Sequence, residues 1–312
     1  MNIMLLGAAG FIGTNLMIHL AQNSNHQLTL VDKQRTYFPE TEMIRRDNVS
    51  IVKSRLEADT DFEALLQRQD IVYHLVSTTV PSTSNQHISQ ELISNVVFSS
   101  NLLEACVHCG VKKVVFISSG GTVYGKEADC PLKETTSTNP ISSYGVQKVT
   151  IEKLLYLYHY MYGLDYTIIR LANPYGPYQR PDGILGAVST FTYKALRMEP
   201  ITIYGDGSVV RDFIYIDDAV RAITNVASGV NPHHIFNIGC GYGTSIKQVL
   251  DTIEKTLQTT LNVVYQDGRN VDVPVNYLDI SRYETCFGAL KPVGLSEGIK
   301  RTAEFMKQYY KL

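Results

Sequence analysis

A chain of 312 residues with 44% apolar and 19% charged side chains has an ordinary globular balance, enough for one large α/β domain or a domain with a smaller lobe. Its net charge of -2, with basic residues clustered no further than pairs such as Arg45-Arg46 and Lys112-Lys113, argues against a nucleic-acid binder driven by phosphate neutralisation. No stretch approaches the ~20 apolar residues of a membrane helix, and Met1 leads into Ile3–Leu6 without the basic region or cleavage site of a secretory leader, so a cytoplasmic protein off the membrane is expected.

Short β-branched runs alternate with longer helical patterns through the first half. Strands are expected at Asn2–Leu6, Gln27–Val31, Val49–Val52, Ile71–Leu75, Lys113–Ser118 and Tyr166–Arg170. Helices are expected at Phe11–Gln22, Asp61–Gln67, Gln90–Cys109 and Ser143–Tyr162. Nearly continuous apolar strands separated by helices predict an α/β protein with a parallel, doubly wound sheet. After about Ala172 the texture changes, and Pro and Gly recur to about Gly207. A first domain over 1–172 and a smaller α/β lobe, mainly 173–312, follow from that change. The lobe should hold a helix at Thr244–Thr256, an extended run at Leu261–Tyr265 and a last helix at Ser296–Tyr310. Strand-like Arg211–Tyr215 and His234–Ile238 are expected to return to the first domain. Five cysteines lack disulfide-like spacing, and Cys106 and Cys109 fall inside a helical stretch, where packed thiols in a reduced cytosol are expected.

Gly7-Ala8-Ala9-Gly10-Phe11-Ile12-Gly13 follows the first strand and opens a helix. Gly7 allows a tight turn, Gly10 a close approach of backbone to a pyrophosphate, and Gly13 close packing of helix on strand. Phosphates would sit on the free N–H groups at the helix start. The second strand ends in Asp32, about 20 residues on, where an acid takes ribose hydroxyls and disfavours a 2′-phosphate. These features predict a Rossmann-type fold that binds NAD rather than NADP.

Tyr144 and Lys148 stand at i and i+4 and share one face of a helix. A lysine ammonium near a tyrosine hydroxyl, beside a positively charged nicotinamide, would lower the phenol's pKa from about 10 and make it a usable base. The pair follows the fifth strand, whose end carries Ser118-Ser119-Gly120-Gly121-Thr122-Val123-Tyr124-Gly125. Ligand chemistry in parallel sheets gathers at such carboxyl ends.

Together these parts resemble the extended short-chain dehydrogenase/reductase family, in its nucleotide-sugar epimerase and dehydratase branch. The resemblance spans nearly the whole chain. It includes the glycine turn, His74-Leu75, Asn95, the Tyr144/Lys148 pair and Arg170-Leu171-Ala172-Asn173-Pro174-Tyr175-Gly176-Pro177. It continues through Tyr204-Gly205-Asp206-Gly207 and Arg211-Asp212-Phe213-Ile214-Tyr215-Ile216-Asp217-Asp218. The resemblance implies Tyr144 as base and Lys148 as its partner on the nicotinamide ribose. It implies cofactor contacts from Gly7, Gly10, Phe11, Ile12, Gly13, Asp32, Leu75, Ser77, Asn95 and Ser118. Asn173 is implied as a ligand of the sugar diphosphate, and Arg211 and Arg269 as its clamp, a role suited to guanidinium geometry.

Three positions depart from the family. Epimerases usually carry Ser or Thr at the position of Gly120, whose hydroxyl bridges sugar and tyrosine. Ser119, Thr122 or a water is expected to take that role, or else activity is altered, with Thr122 favoured because it lies two residues on and could face the same side of an extended chain. The dehydratases' Asp-Glu pair is replaced by Gly121-Thr122, which argues against dehydration. Arg55 stands where an adenine-contacting Asp is usual. The resulting expectation is 4-epimerisation of a UDP-sugar, with no metal. Asn276, after the second clamp arginine, is small enough beside the sugar's C2 for an N-acetylhexosamine. A deoxysugar-nucleotide reductase of the same family and a weakly catalytic NAD-binding sensor or scaffold are the alternatives. The family's habit of pairing long helices implies a homodimer.

Overall fold

Why the chain folds into layers is visible in its first strand. Ile3 and Leu5 feed a core on one side of the sheet, while Met4 and Leu6 feed a core on the other. That alternation is the period of an extended chain, and all four side chains are at most 2% exposed. Each contributes about 1.5–3 kcal/mol by leaving water. The computed structural model describes residues 1–22, 25–34, 38–79, 81, 84–126, 129–181, 186–229, 232–268 and 273–312.

In chain order the first elements are β1 (Asn2–Leu6), α1 (Phe11–Ala21), β2 (Gln27–Asp32), β3 (Val49–Lys53), α2 (Phe62–Leu66) and β4 (Ile71–His74). Next come α3 (Ile88–Leu92), α4 (Phe98–His108), β5 (Lys113–Ser119), α5 (Ser143–Tyr162), β6 (Asp165–Leu171), β7 (Asn173–Tyr175), α6 (Ala187–Leu196) and β8 (Ile201–Tyr204). The rest are β9 (Val210–Arg211), β10 (Phe213–Tyr215), α7 (Ile216–Ser228), β11 (Ile235–Ile238), β12 (Thr244–Ser245), α8 (Ile246–Leu257), β13 (Val263–Gln266), β14 (Val275–Asn276), α9 (Ser281–Phe287) and α10 (Leu295–Tyr310).

Seven strands form a parallel sheet in the order β11-β6-β5-β4-β1-β2-β3. Leu16 and Met17 of α1 and Val220 and Ile223 of α7 fill the core on one face. Phe62 of α2, Phe98 of α4 and Ile151 and Leu155 of α5 fill the other. This is the doubly wound fold expected from the strand–helix alternation. The strand order reverses between β1 and β4, so a crevice is expected at the carboxyl ends there.

Two local expectations differ from what is found. The helix expected over Gln90–Cys109 starts at Ile88, and a π turn over Ile93–Val97 separates α3 from α4. Ile235–Ile238 does join the large sheet beside β6. Arg211–Tyr215 does not: β9 pairs with β12 and β14, and β10 runs parallel to β7. An apolar strand pattern marks extended backbone but not its partner, which packing context decides.

The smaller lobe packs Val188 of α6, Val249 and Ile253 of α8 and Ile299 of α10 together. Ser245 and Gln248 form a reciprocal capping box that fixes the start of α8. Among the described residues no helix is long and apolar enough to cross a membrane.

Candidate active site

The glycine turn closes as its residue types require. Gly7 adopts φ +83°, a left-handed conformation that disfavours side chains. A Cβ on Gly13 would lie 2.6 Å from the Gly7 carbonyl oxygen and 2.7 Å from that of Ala8. No side chain caps the first N–H groups of α1, which leaves them for an anion. Gly7, Gly10, Phe11, Ile12 and Gly13 all line one cavity of about 670 Å³. The Asp32 carboxylate sits beside the turn, accepting from Ala9 N at 2.9 Å and Lys33 N at 2.8 Å, without lining that cavity. A bare glycine cradle, an uncapped helix start and an adjacent acid fit a dinucleotide.

Ser142 caps α5 by accepting from Gly145 N at 3.2 Å, which places Tyr144 in the first turn. Tyr144, Lys148, Ser118 and Ser119 line the same cavity. Lys148 Nζ donates to Ile117 O at 2.8 Å and lies 4.7 Å from the Phe116 ring centroid and 5.5 Å from that of Tyr144. Burial pulls its ammonium down to about 8, opposed by the charge of Glu152. Desolvation pushes the Tyr144 phenol up to about 12, opposed by hydrogen bonding with Ser119. Burial, rather than Lys148, sets the direction of that shift, and the ammonium is turned to a backbone carbonyl.

At the departures from the family the structure is specific. A Cβ on Gly120 would meet Leu278 Cδ1 at 2.6 Å and Arg170 O at 3.2 Å, so a side chain there would have to displace Leu278. Ser119 faces the cavity, whereas Thr122 does not line it. The Thr122 hydroxyl is buried with no hydrogen-bond partner among the described residues. The preference for Thr122 assumed that an extended chain continues past β5, but β5 ends at Ser119. Arg55 pairs with Glu57 at the surface at 2.7 Å.

The segment after β4 brings Leu75, Ser77 and Thr79 to the cavity wall. Asn95, in the π turn, does not line it; it accepts from Thr78 N at 2.9 Å and donates to Glu91 O at 3.0 Å, and so holds that segment. Glu91 in turn accepts from Ser143 Oγ and from Gln147 Nε2, tying the segment to the first turns of α5.

Asn173 and Arg211 bring the smaller lobe to the wall. Asn173 Nδ2 donates to Asp212 O at 2.9 Å, and Arg211 Nη1 donates to Val210 O at 2.8 Å and Val273 O at 2.6 Å. The Asp212 carboxylate is fully buried and accepts from Cys240 N at 2.7 Å and from Gly241 N and Leu278 N at 3.3 Å. Burial pushes it up to about 6. Asn276 is 2% exposed, off the wall, and donates to Gly120 O at 3.4 Å. Arg269 lies outside the described residues.

Gln179 went unnoticed in the sequence. It is 9% exposed and on the wall, and its Oε1 has no hydrogen-bond partner among the described residues. Its only sequence signal is its place in the turn-rich run after Asn173. Among the described residues no cluster of His, Cys, Asp or Glu could hold a metal ion.

A sheet-end cavity that joins a dinucleotide cradle to a Tyr/Lys pair defines a class of oxidoreductase-like folds, and comparison with known proteins narrows it. Residues 3–239 match the NAD dependent epimerase/dehydratase family. The chain belongs to that family, and its cofactor is NAD. It is 32% identical over 310 residues to a UDP-glucose 4-epimerase of Mycolicibacterium smegmatis, covering 98% of this chain and 99% of that one. A UDP-glucose 4-epimerase from Thermotoga maritima, solved with UDP-glucose, superimposes with a TM-score of 0.91 at 34% identity over 99% of this chain and all of that one. A UDP-N-acetylglucosamine 4-epimerase from Methanobrevibacter ruminantium, solved with UDP-N-acetylmuramic acid, gives 0.89 at 29% identity, covering 99% and 98% of the two chains.

Proposed function

We propose that this chain catalyses NAD-dependent 4-epimerisation of a UDP-hexose or UDP-N-acetylhexosamine. The observation that carries the reading is a single cavity lined by the glycine turn, by Ser119, Tyr144 and Lys148, and by Asn173 and Arg211. Tyr144 takes the proton of the sugar's C4 hydroxyl, with Ser119 beside it. The Lys148 ammonium favours the tyrosinate that accepts this proton and becomes a neutral phenol. NAD, held by the glycine turn, would supply reversible oxidation at the sugar's C4. Asn173, Arg211 and Arg269 hold the nucleotide diphosphate by charge-assisted bonds while the 4-keto sugar turns its other face. Gly7, Gly10, Phe11, Ile12 and Gly13 cradle the cofactor with Asp32, Leu75, Ser77 and Ser118, while Asn95 supports the Leu75–Thr79 segment from behind.

N-acetylhexosamines are included because the position of Asn276, where some glucose/galactose epimerases of the family carry a larger tyrosine, stands behind the wall rather than on it. Proton NMR of UDP-glucose and of UDP-N-acetylglucosamine incubated with the enzyme tests the reading. The 4-epimer of at least one should appear with no net change in NADH. Stoichiometric NADH consumption would instead mark a reductase, and turnover of UDP-glucose alone would remove the hexosamine.

The same reading includes a cytoplasmic homodimer. All five cysteines are free. Ile93 and Val97 near α4 and Val146, Leu157, Tyr160 and Met161 on α5 are large apolar side chains left exposed. A face of this kind fits a second copy; a sedimentation mass of one chain would remove the dimer.

A further inference from the structure

A buried carboxylate is costly unless it is paired. Glu152 has side-chain exposure of only 4%, and the chemistry described so far does not use it. It stands one helical turn beyond Lys148 and two beyond Tyr144, so the three share a face of α5. That face meets three consecutive residues at the end of β5. Tyr144 bonds with Ser119, Lys148 Nζ donates to Ile117 O, and Ser118 Oγ donates to Glu152 Oε1 at 2.6 Å. From β6, Arg170 grips the same carboxylate with two bonds, Nη2 to Oε2 at 2.7 Å and Nε to Oε1 at 3.1 Å. The remaining Arg170 nitrogen donates to Tyr124 Oη at 3.1 Å and Glu134 O at 3.2 Å.

We infer that Glu152 is a positioning residue for the reaction: the anion that faces Lys148 and, through Ser118, draws the end of β5 onto the face of α5 that carries Tyr144. The inference rests on the roles proposed for Tyr144 and Lys148. The groups facing Lys148 are few. On α5 they are Tyr144 and Glu152, on β4 His74, and on β6 Arg170 acting through Glu152, while the end of β5 brings only uncharged serines. Burial pulls the His74 imidazole down to about 3, so it is neutral at working pH. Glu152 therefore supplies the negative charge that opposes the effect of burial on the Lys148 ammonium.

The alternative is a staple that fastens α5 to β6 and does nothing for catalysis. The two part in the pH profile of kcat, measured on NAD-loaded wild type, Glu152→Gln and Glu152→Asp. In Glu152→Gln the alkaline limb should move to lower pH by about one unit or more, because an opposite charge has been removed. KM for the UDP-sugar should stay within about twofold, since the arginines that hold the diphosphate are untouched. Glu152→Asp keeps the charge and should restore most of the limb. A Glu152→Gln profile that overlays the wild type, or an equal shift in both variants, would overturn the inference. Ser118→Ala guards against misfolding of the Glu152 variants: it should lower kcat without moving the limb, and an unchanged kcat removes the link to β5. Tyr144→Phe, run alongside, separates the two levels: full activity there sinks the catalytic reading, whereas an inactive Tyr144→Phe beside an unshifted Glu152→Gln sinks only the role of Glu152.

Discussion

Up to β6, the groups lining the cavity stand at or just beyond strand ends of one seven-stranded parallel sheet, as Ser119 and Leu75 do, or on helices packed against it, as Phe11 of α1 and Tyr144 and Lys148 of α5 do. Beyond β6, Asn173 and Arg211 are carried on strands of three and two residues in separate small sheets. The first arrangement is braced by cores on both faces. The second has a smaller core of its own, with Tyr175, Phe213 and Tyr215 packed beside Val188 and Val249, and is tied by hydrogen bonds of the Asp212 carboxylate and backbone and of the Arg211 guanidinium. The difference teaches a division of labour. The large sheet and its helices carry Ser119, Tyr144 and Lys148, proposed to react, while the small sheets carry Asn173 and Arg211, proposed to hold the unreactive part of the ligand.

Substitutions can break that contrast. The largest effect is expected from Tyr144→Phe, which should cut kcat by about 10²–10⁴-fold while the purified protein keeps its NAD. Cofactor loss alongside activity would mean that Tyr144 supports the cradle rather than the chemistry. A smaller effect, of another kind, is expected from Arg211→Ala. Losing charge-assisted bonds of about 1.5–3 kcal/mol should raise KM roughly ten- to hundredfold with kcat nearly unchanged. Steady-state kinetics in which kcat falls and KM does not would erase the division between the regions. Arg211→Lys should recover only part of the loss, because an ammonium lacks the planar fork. The smallest effect is expected from Thr122→Val, which removes a buried hydroxyl that has no partner among the described residues. Turnover should stay within about twofold and thermal stability within about 1 kcal/mol. Ser119→Ala, measured beside it, should slow turnover by about tenfold or more. The reverse ranking would return the bridging hydroxyl to Thr122.

Within the large sheet, strand order aside, most features were legible from the residues alone. The glycine turn spans seven positions, and each glycine answers a local demand, such as the left-handed φ at Gly7 or the carbonyls against Gly13. Asp32 follows because β1 and β2 are adjacent strands whose ends lie side by side. Tyr144 and Lys148 share a face because a helix repeats every 3.6 residues. Such relations are short in sequence, so periodicity and turn chemistry report them directly.

Other features depended on contacts between distant segments. Whether Ser119 or Thr122 reached the cavity turned on where β5 stopped pairing with β6. Gly120 is accounted for by Leu278, and Asn276 reaches Gly120 across 156 positions. Arg211 is held by Val273, 62 positions away, and its strand pairs outside the large sheet. Glu152 reads in the sequence as one more charge on a helix; only packing buries it against Arg170 and Ser118. By itself, then, the sequence determined the doubly wound fold, the cofactor and the placing of Tyr144 and Lys148 on one helix face, because each is written in local spacing. Tertiary structure decided which hydroxyl faces the cavity, what holds Arg211 at its wall and which carboxylate is buried one turn beyond Lys148, because burial and strand partnering are properties of the assembled chain.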